Sequence, residues 1–163
     1  MKKNVIIVGA GLAGSLCALY MLKRGHQVSI YERRPDMRKA KLVAGRSINL
    51  ALSTRGWTAL KNVGVDHHVE RIAIPMPKRV MHDKEGNLTD QYYGNKDQAI
   101  YSVPRGELNV LLMNLAEQKG ANIFFNHKCH INSPLYSHFL RDLGIAKVFT
   151  DVTRYFLLKA IST

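Results

Sequence analysis

The residues best placed to do chemistry lie at the start of the chain, where Gly9-Ala10-Gly11-Leu12-Ala13-Gly14 spaces three glycines as G-x-G-x-x-G. In a strand–turn–helix setting each glycine has its own task. Gly9 makes the tight turn, Gly11 lets a pyrophosphate approach the backbone, and Gly14 lets the helix pack close to the strand. Phosphates then sit at the helix N-terminus, where free N–H groups and the helix dipole favour negative charge. Glu32 stands 18 to 23 residues on, where a carboxylate accepts hydrogen bonds from an adenosine ribose. The combination points to a dinucleotide. The glycines do not separate FAD from NAD, but the acid disfavours a 2′-phosphate and hence NADP at this site.

The motif carries this meaning only if the surrounding elements are right. Val5 to Val8 is a β-branched run, as a strand buried on both faces requires. Leu12 to Arg24 reads as a helix with Leu12, Leu16, Leu19, Met21 and Leu22 over most of its surface, and Gly25 falls where a left-handed cap ends it. Gln27 to Tyr31 is the next strand. A βαβ unit of this length demands a parallel sheet, so the fold class is α/β and Rossmann-like. Arg33 to Gly45 is a polar, basic loop, and Ile48 to Leu52 is short and apolar. Thr54 to Val63 reads as a helix ending at Gly64. Val80 to Tyr93 reads as a hairpin around Asp83-Lys84-Glu85-Gly86-Asn87. Ile100 to Val103 is a strand. Leu108, Leu111, Leu112, Leu115 and Ala116 mark one face of a helix closed by Gly120, and Ile123 to Phe125 is a strand.

Composition narrows the class further. Lys and Arg number 24 against 12 Asp and Glu, giving a net charge of +12 spread along the chain with no run of five like charges. A basic nucleic-acid arm is therefore not expected, whereas an anionic cofactor suits the excess. Cys17 and Cys129 are too few and too distant for a disulfide framework, which favours a reducing compartment. The basic Met1 to Asn4 start leads into glycines rather than a cleavage site, and no stretch is long enough to span a bilayer; a cytoplasmic protein is expected.

Other clusters carry less. His67-His68 suggests a metal, but adjacent side chains are expected to point apart and no acidic pattern surrounds them; a solvated helix end is the better reading. His127, Cys129 and His130 match no zinc spacing. Cys17 reads as a buried small residue, and Trp57, Phe124 and Phe125 as packing residues. No metal site is expected.

Several blocks resemble FAD-dependent aromatic hydroxylases: Val5 to Leu16, and Tyr31-Glu32-Arg33-Arg34-Pro35-Asp36. Gly45-Arg46-Ser47-Ile48-Asn49-Leu50-Ala51-Leu52-Ser53-Thr54-Arg55-Gly56 is more particular and resembles the kynurenine 3-monooxygenase family. Ile74 to His82, Tyr93-Gly94, Ser102-Val103-Pro104-Arg105 and Phe125-Asn126-His127 continue the resemblance in order. It implies an FAD-binding domain over residues 1–128 with part of a β-rich substrate region. It also implies that NADPH acts as transient reductant and that O2 and FAD convert L-kynurenine to 3-hydroxykynurenine, a step of tryptophan degradation and NAD biosynthesis. The flavin would carry the reactive oxygen, so no catalytic side chain is expected.

By the same resemblance, FAD would be held by Gly9, Gly11, Leu12, Ala13, Gly14, Glu32, Arg33, Arg34, Arg38, Ala51 and Arg105. Arg105 would face the phosphates or ribose. Arg38 is the softer candidate, since a basic loop is also expected when it is merely solvated. Arg79 would pair with the kynurenine carboxylate, as a guanidinium fork does well, and Tyr93 would donate to it. Read without the resemblance, Arg79 is a solvated strand residue and Tyr93 a half-buried sheet aromatic.

After Cys129 the family pattern stops. Residues 129–163 form a non-matching tail in which Leu135 to Leu143 and Val152 to Ile161 read as short helices. The Asp-Gly and Gly-Asp segments expected to complete the flavin site are missing. The chain is therefore expected to be truncated relative to the family, and inactive alone. The competing readings are a non-catalytic dinucleotide-binding module or inactive relic, and, ranked last, a nucleic-acid-binding protein.

Overall fold

A computed structural model describes residues 2–39, 48–95 and 99–128. They divide into two compact units, one containing residues 2–39 and 109–128 and the other residues 48–95 and 99–108. The two helices expected in residues 129–163, and the basic loop beyond residue 39, lie outside the described residues.

The first unit is built on a parallel sheet. β1 (Asn4–Val8), α1 (Leu12–Lys23) and β2 (Gln27–Tyr31) follow in order. β1 pairs in parallel with β2 from Asn4↔Gln27 to Val8↔Tyr31. The last strand of the unit, Asn122–Phe124, lies parallel to β2 on its other side, with Ser29 opposite Asn122. Val28 and Ile30 are fully buried. These strand bounds agree with the β-branched runs in the sequence to within a residue.

Helix α1 buries Ser15, Ala18 and Leu19, while Leu12, Leu16, Met21 and Leu22 are only half-buried. The apolar residues run round the helix, but only the face through Ser15, Ala18 and Leu19 is fully buried, and Gly14 adjoins the glycine turn. Gly14 explains this: a Cβ there would sit 1.9 Å from the Gly9 carbonyl oxygen, so only glycine permits so close an approach. The chain leaves the helix through Gly25 at φ +79°, the left-handed position expected of it.

The second unit contains two small antiparallel sheets. β3 (Asn49–Leu52), α2 (Thr54–Asn62) and α3 (Asp66–Glu70) lead into β4 (Ile74–Met76), then β5 (Lys78–His82), β6 (Leu88–Tyr92) and β7 (Ile100–Pro104). One sheet has the order β3-β7-β4, and β5 and β6 form a separate two-stranded hairpin. Asp83 organises that turn, its carboxylate accepting from the backbone N–H groups of Glu85 and Asn87 and from the Asn87 amide. Leu60, Val63, Val65, Val69 and Val103 form the buried core of this unit. Trp57 packs edge-on against Tyr101, their ring centroids 5.0 Å apart.

Two elements exceed the sequence expectations: α3, too short to show periodicity, and β4, a three-residue strand containing Pro75. His67 and His68 sit on α3 with ring centroids 4.0 Å apart, so their side chains lie together rather than pointing apart. No group of three or more metal-ligating side chains occurs among the described residues. Helix α4 (Arg105–Gln118) is followed by β8 (Asn122–Phe124). Its buried face holds Leu108, Leu112, Leu115 and Ala116 as expected, but also Asn109 and Met113.

Candidate functional site

The glycine turn and Glu32 form one local structure. The Gly9 N–H donates to the Tyr31 carbonyl at 2.8 Å, which locks the turn to the end of β2. Gly9 has φ +99°, a conformation that L side chains rarely adopt. Gly11 caps α1 with ordinary backbone angles, and a Cβ built there meets nothing within 4 Å. The three glycines thus differ: Gly9 is required by its backbone angle, Gly14 by close packing, and Gly11 by neither. What Gly11 leaves is open space above a helix N-terminus, where a phosphate group would be received. Leu12 and Ala13 form the first turn beyond it, and Ala13 is exposed.

Glu32 is only 5% exposed. Its Oε2 accepts from the Ala10 N–H at 2.9 Å, and its Oε1 accepts from the Arg34 N–H and Nε, each at 2.9 Å. Burial by itself would raise the Glu32 pKa, but the hydrogen bonds from the Arg34 side chain and backbone and from Ala10 outweigh it and hold the carboxyl below its usual range. Glu32 is therefore ionised and able only to accept, as a ribose partner must be. Its backbone is fixed as well: the Glu32 N–H donates to Phe124 O, and its carbonyl accepts from His127 N–H.

The arginines that follow Glu32 are not equivalent. Arg33 is exposed, and Arg34 turns back onto Glu32 while remaining 61% exposed. Arg38 is only 19% exposed and all of its N–H groups face acceptors. Its Nε and Nη2 grip Asp36 at 2.8 Å each, Nη1 donates to Asn114 at 2.9 Å and to Glu117, and Nη2 also reaches Glu117 at 3.4 Å. Its guanidinium lies 5.3 Å from the centre of the Phe125 ring. The side-chain bonds to Asp36 and then Glu117 raise its pKa further. The expectation of a solvated basic loop fails here, because Arg38 ties the loop to α4.

The remaining candidates lie in the second unit. Ala51 is exposed on β3 opposite Ser102, and Arg105 is exposed at the start of α4, its N–H donating to Ile48 O. Arg79 lies on β5 opposite Gln91, whose Oε1 accepts from its Nε at 2.6 Å. Tyr93 follows β6, 43% exposed, with its N–H bonded to Pro77 O. Every residue of β5 and β6 is exposed. The strand reading of Arg79 holds, whereas Tyr93 is more open than a half-buried sheet aromatic.

Asn109 was missed by sequence reasoning. It falls within the apolar stripe of α4 four residues before Met113, and a polar side chain at such a position was the available signal. It borders a pocket of about 70 Å³ with Ala10, Glu32, Met37, Met113 and Phe125. A larger recess of about 440 Å³ runs along Asn4, Ile6, Gln27, Ser29, Tyr31 and Asn122, and no charged side chain lines it.

A glycine turn on a parallel strand, a helix opening onto free space and a buried carboxylate at the next strand end define an adenine-dinucleotide fold of the Rossmann class. The chain matches the FAD binding domain family over residues 2–134, and it belongs to that family. It is similar to kynurenine 3-monooxygenases: 46% identical over 127 residues to that of Christiangramia forsetii and 51% identical over 127 residues to that of Flavobacterium johnsoniae. These alignments cover 78% and 77% of this chain, which spans 28% of the length of either relative. The resemblance drawn from the sequence blocks is borne out. Among solved structures, the tetrameric form of 2-methyl-3-hydroxypyridine-5-carboxylic acid oxygenase superimposes with a TM-score of 0.64 at 18% identity, over 77% of this chain and 32% of that one. p-Nitrophenol 4-monooxygenase PnpA from Pseudomonas putida gives 0.63 at 20% identity, over 78% and 32%. Those likenesses establish the fold. The expected α/β class is likewise borne out.

Proposed function

We propose that this chain is the FAD-holding part of a hydroxylase that converts L-kynurenine to 3-hydroxykynurenine with NADPH and O2. The observation that carries the FAD reading is the pairing of open space at Gly11 with an ionised, acceptor-only Glu32 fixed to the same turn. The N-terminal N–H groups of α1 would receive the pyrophosphate, and Glu32 would accept from the ribose hydroxyls. Gly9, Leu12, Ala13 and Gly14 would shape that cradle, with Arg33 as a further contact, Arg34 acting through Glu32 and Arg38 through the loop it fixes; for Ala51 and Arg105 the proposed FAD role rests on the sequence resemblance alone. The FAD-holding part would comprise residues 1–128.

The choice of kynurenine rests on the named relatives rather than on pocket geometry. In this reading Arg79 clamps the substrate carboxylate and Tyr93 donates to it, while bound FAD supplies the oxygen-transfer chemistry. No helix among the described residues is long and apolar enough to cross a membrane, which accords with the cytoplasmic location we propose. A second reading, a dinucleotide-binding module without hydroxylase activity, is favoured by the exposure of the whole β5–β6 hairpin that carries Arg79.

Absorbance of the purified chain after incubation with FAD and removal of free cofactor tests the first step. Retained flavin bands support the cradle; a colourless protein that is nonetheless folded by circular dichroism refutes it. Where flavin is retained, L-kynurenine binding without turnover supports the FAD-holding part of a hydroxylase, flavin retention without L-kynurenine binding supports the binding module, and 3-hydroxykynurenine formation with NADPH oxidation would overturn the expectation that the chain is inactive alone.

A further inference from the structure

The Glu32 carboxylate is fully engaged within the chain itself. A carboxylate offers about four lone-pair sites, two on each oxygen. Backbone donors take one site on each: the Arg34 N–H at Oε1 and the Ala10 N–H at Oε2, both at 2.9 Å. The Arg34 guanidinium takes the other two, with Nε 2.9 Å from Oε1 and Nη2 3.4 Å from Oε2. Under this fork the Glu32 side chain is only 7% exposed.

The two kinds of donor differ in how they can be removed. Ala10 belongs to the glycine turn, and the Arg34 backbone is pinned by the Asn126 N–H, which donates to its carbonyl. The guanidinium ends a flexible side chain that is 61% exposed, and a pair so open at one partner is weakly held. The sites that can be vacated without moving backbone are therefore the guanidinium's two. They lie one on each carboxylate oxygen, as two neighbouring hydroxyls donating side by side require. We propose that the Arg34 guanidinium holds the place of a ribose diol on Glu32, so that an adenine nucleotide must displace Arg34 in order to bind. Arg34 thus sets nucleotide affinity by competition, the opposite of a supporting role. This deepens the FAD reading, since it rests on Glu32 being the ribose acceptor.

The test compares ADP with 2′,3′-dideoxy-ADP on the full chain and on Arg34→Met, at mildly alkaline pH to keep Glu32 ionised in both proteins. Methionine keeps an apolar stem and removes the fork. Losing the Arg34 charge affects both nucleotides through their phosphates, so the ratio of their affinities isolates the diol. That ratio is expected to rise about threefold or more in Arg34→Met, because the diol no longer has a guanidinium to displace. A wild-type preference for ADP that is unchanged or smaller in Arg34→Met overturns the proposal and leaves Glu32 as the ribose acceptor. A ratio near one in both proteins, or no binding of ADP to either, overturns the ribose reading and the proposal together. The companion measurement needs no variant: nitrogen–proton NMR of the Arg34 Nε–H in the wild type. Its protection from solvent exchange is expected to be lost with ADP and kept with 2′,3′-dideoxy-ADP. Protection that persists in the ADP complex, or that both nucleotides abolish, overturns the proposal.

Discussion

The glycine turn and the β5–β6 hairpin show two different ways of carrying functional residues. In the turn, backbone angle, packing and hydrogen bonds all converge: Gly9 at φ +99°, Gly14 against the Gly9 carbonyl, and Glu32 held by Ala10 and Arg34. In the hairpin, Arg79 and Tyr93 stand on strands exposed along their whole length, with Val80, Met81, Leu88 and Tyr92 in the open. A two-stranded ribbon whose residues are all exposed contributes little stability of its own. Gly9, Gly14 and Glu32 are determined by what surrounds them, so substitutions at these positions act on the fold. The hairpin is not, so substitutions there act only on what binds.

The largest effect that would sharpen this contrast is at Gly14. A side chain there meets backbone at 1.9 Å, which cannot move without displacing the turn. Gly14→Val is expected to cost about 3 kcal/mol or more, a large share of a typical domain's stability, and to abolish FAD retention with it. Thermal unfolding by circular dichroism measures the first and flavin absorbance the second. Gly11→Val separates the two: the open space leaves stability within about 1 kcal/mol while the pyrophosphate approach is blocked. A melting temperature that falls as far for Gly11→Val as for Gly14→Val would break the comparison.

Next in size is Arg38. Removing its side chain leaves Asp36, itself 10% exposed at the side chain, without its bidentate partner, and releases Glu117 and Asn114. Arg38→Ala is expected to cost about 2–3 kcal/mol, read from urea midpoints. Glu32→Gln follows at about 1–3 kcal/mol near neutral pH, since an amide cannot accept all the donors the carboxylate does. Its sign with pH is fixed by the direction of the shift. A carboxyl held below its unfolded value contributes stability above the ordinary carboxylate range, and that contribution is lost as pH falls through the depressed value. Stability of the wild type therefore declines in this acid window, and the Glu32→Gln protein declines less.

How far these differences were legible in the sequence follows from their range along the chain. Turn, helix and strand bounds in the first unit depend on neighbours a few residues apart, and the glycines, β-branched runs and Gly25 marked them to within a residue or so. The tasks of Gly9 and Gly14 were legible for the same reason. Arg38 was not, because its partners Asn114 and Glu117 lie on α4, far along the chain. Asn109 was hidden likewise, since only the packing of α4 beside the Met37 loop strips it of water. Helix α3 and strand β4 were too short for a period to register. The substrate role of Arg79 rests on resemblance alone, as nothing local to β5 distinguishes a carboxylate clamp from a solvated strand arginine.

That leaves the smallest expected effect on stability, and it falls on the hairpin. Arg79 donates its Nε to Gln91 on an exposed face, and exposed pairs of this kind contribute little. Arg79→Ala should leave the melting midpoint within about 0.5 kcal/mol of wild type. If Arg79 receives the kynurenine carboxylate, the same substitution should weaken L-kynurenine binding by about tenfold or more while FAD retention stays unchanged, because a charge-assisted bidentate contact is lost. Tyr93→Phe should act in the same direction and less strongly, removing one neutral donor. Calorimetric titration of the FAD-loaded chain with L-kynurenine measures both. Loss of binding at constant stability would show that the hairpin's exposure serves recognition, whereas unchanged binding in both variants would leave Arg79 an ordinary solvated strand residue and favour the binding-module reading of the whole chain.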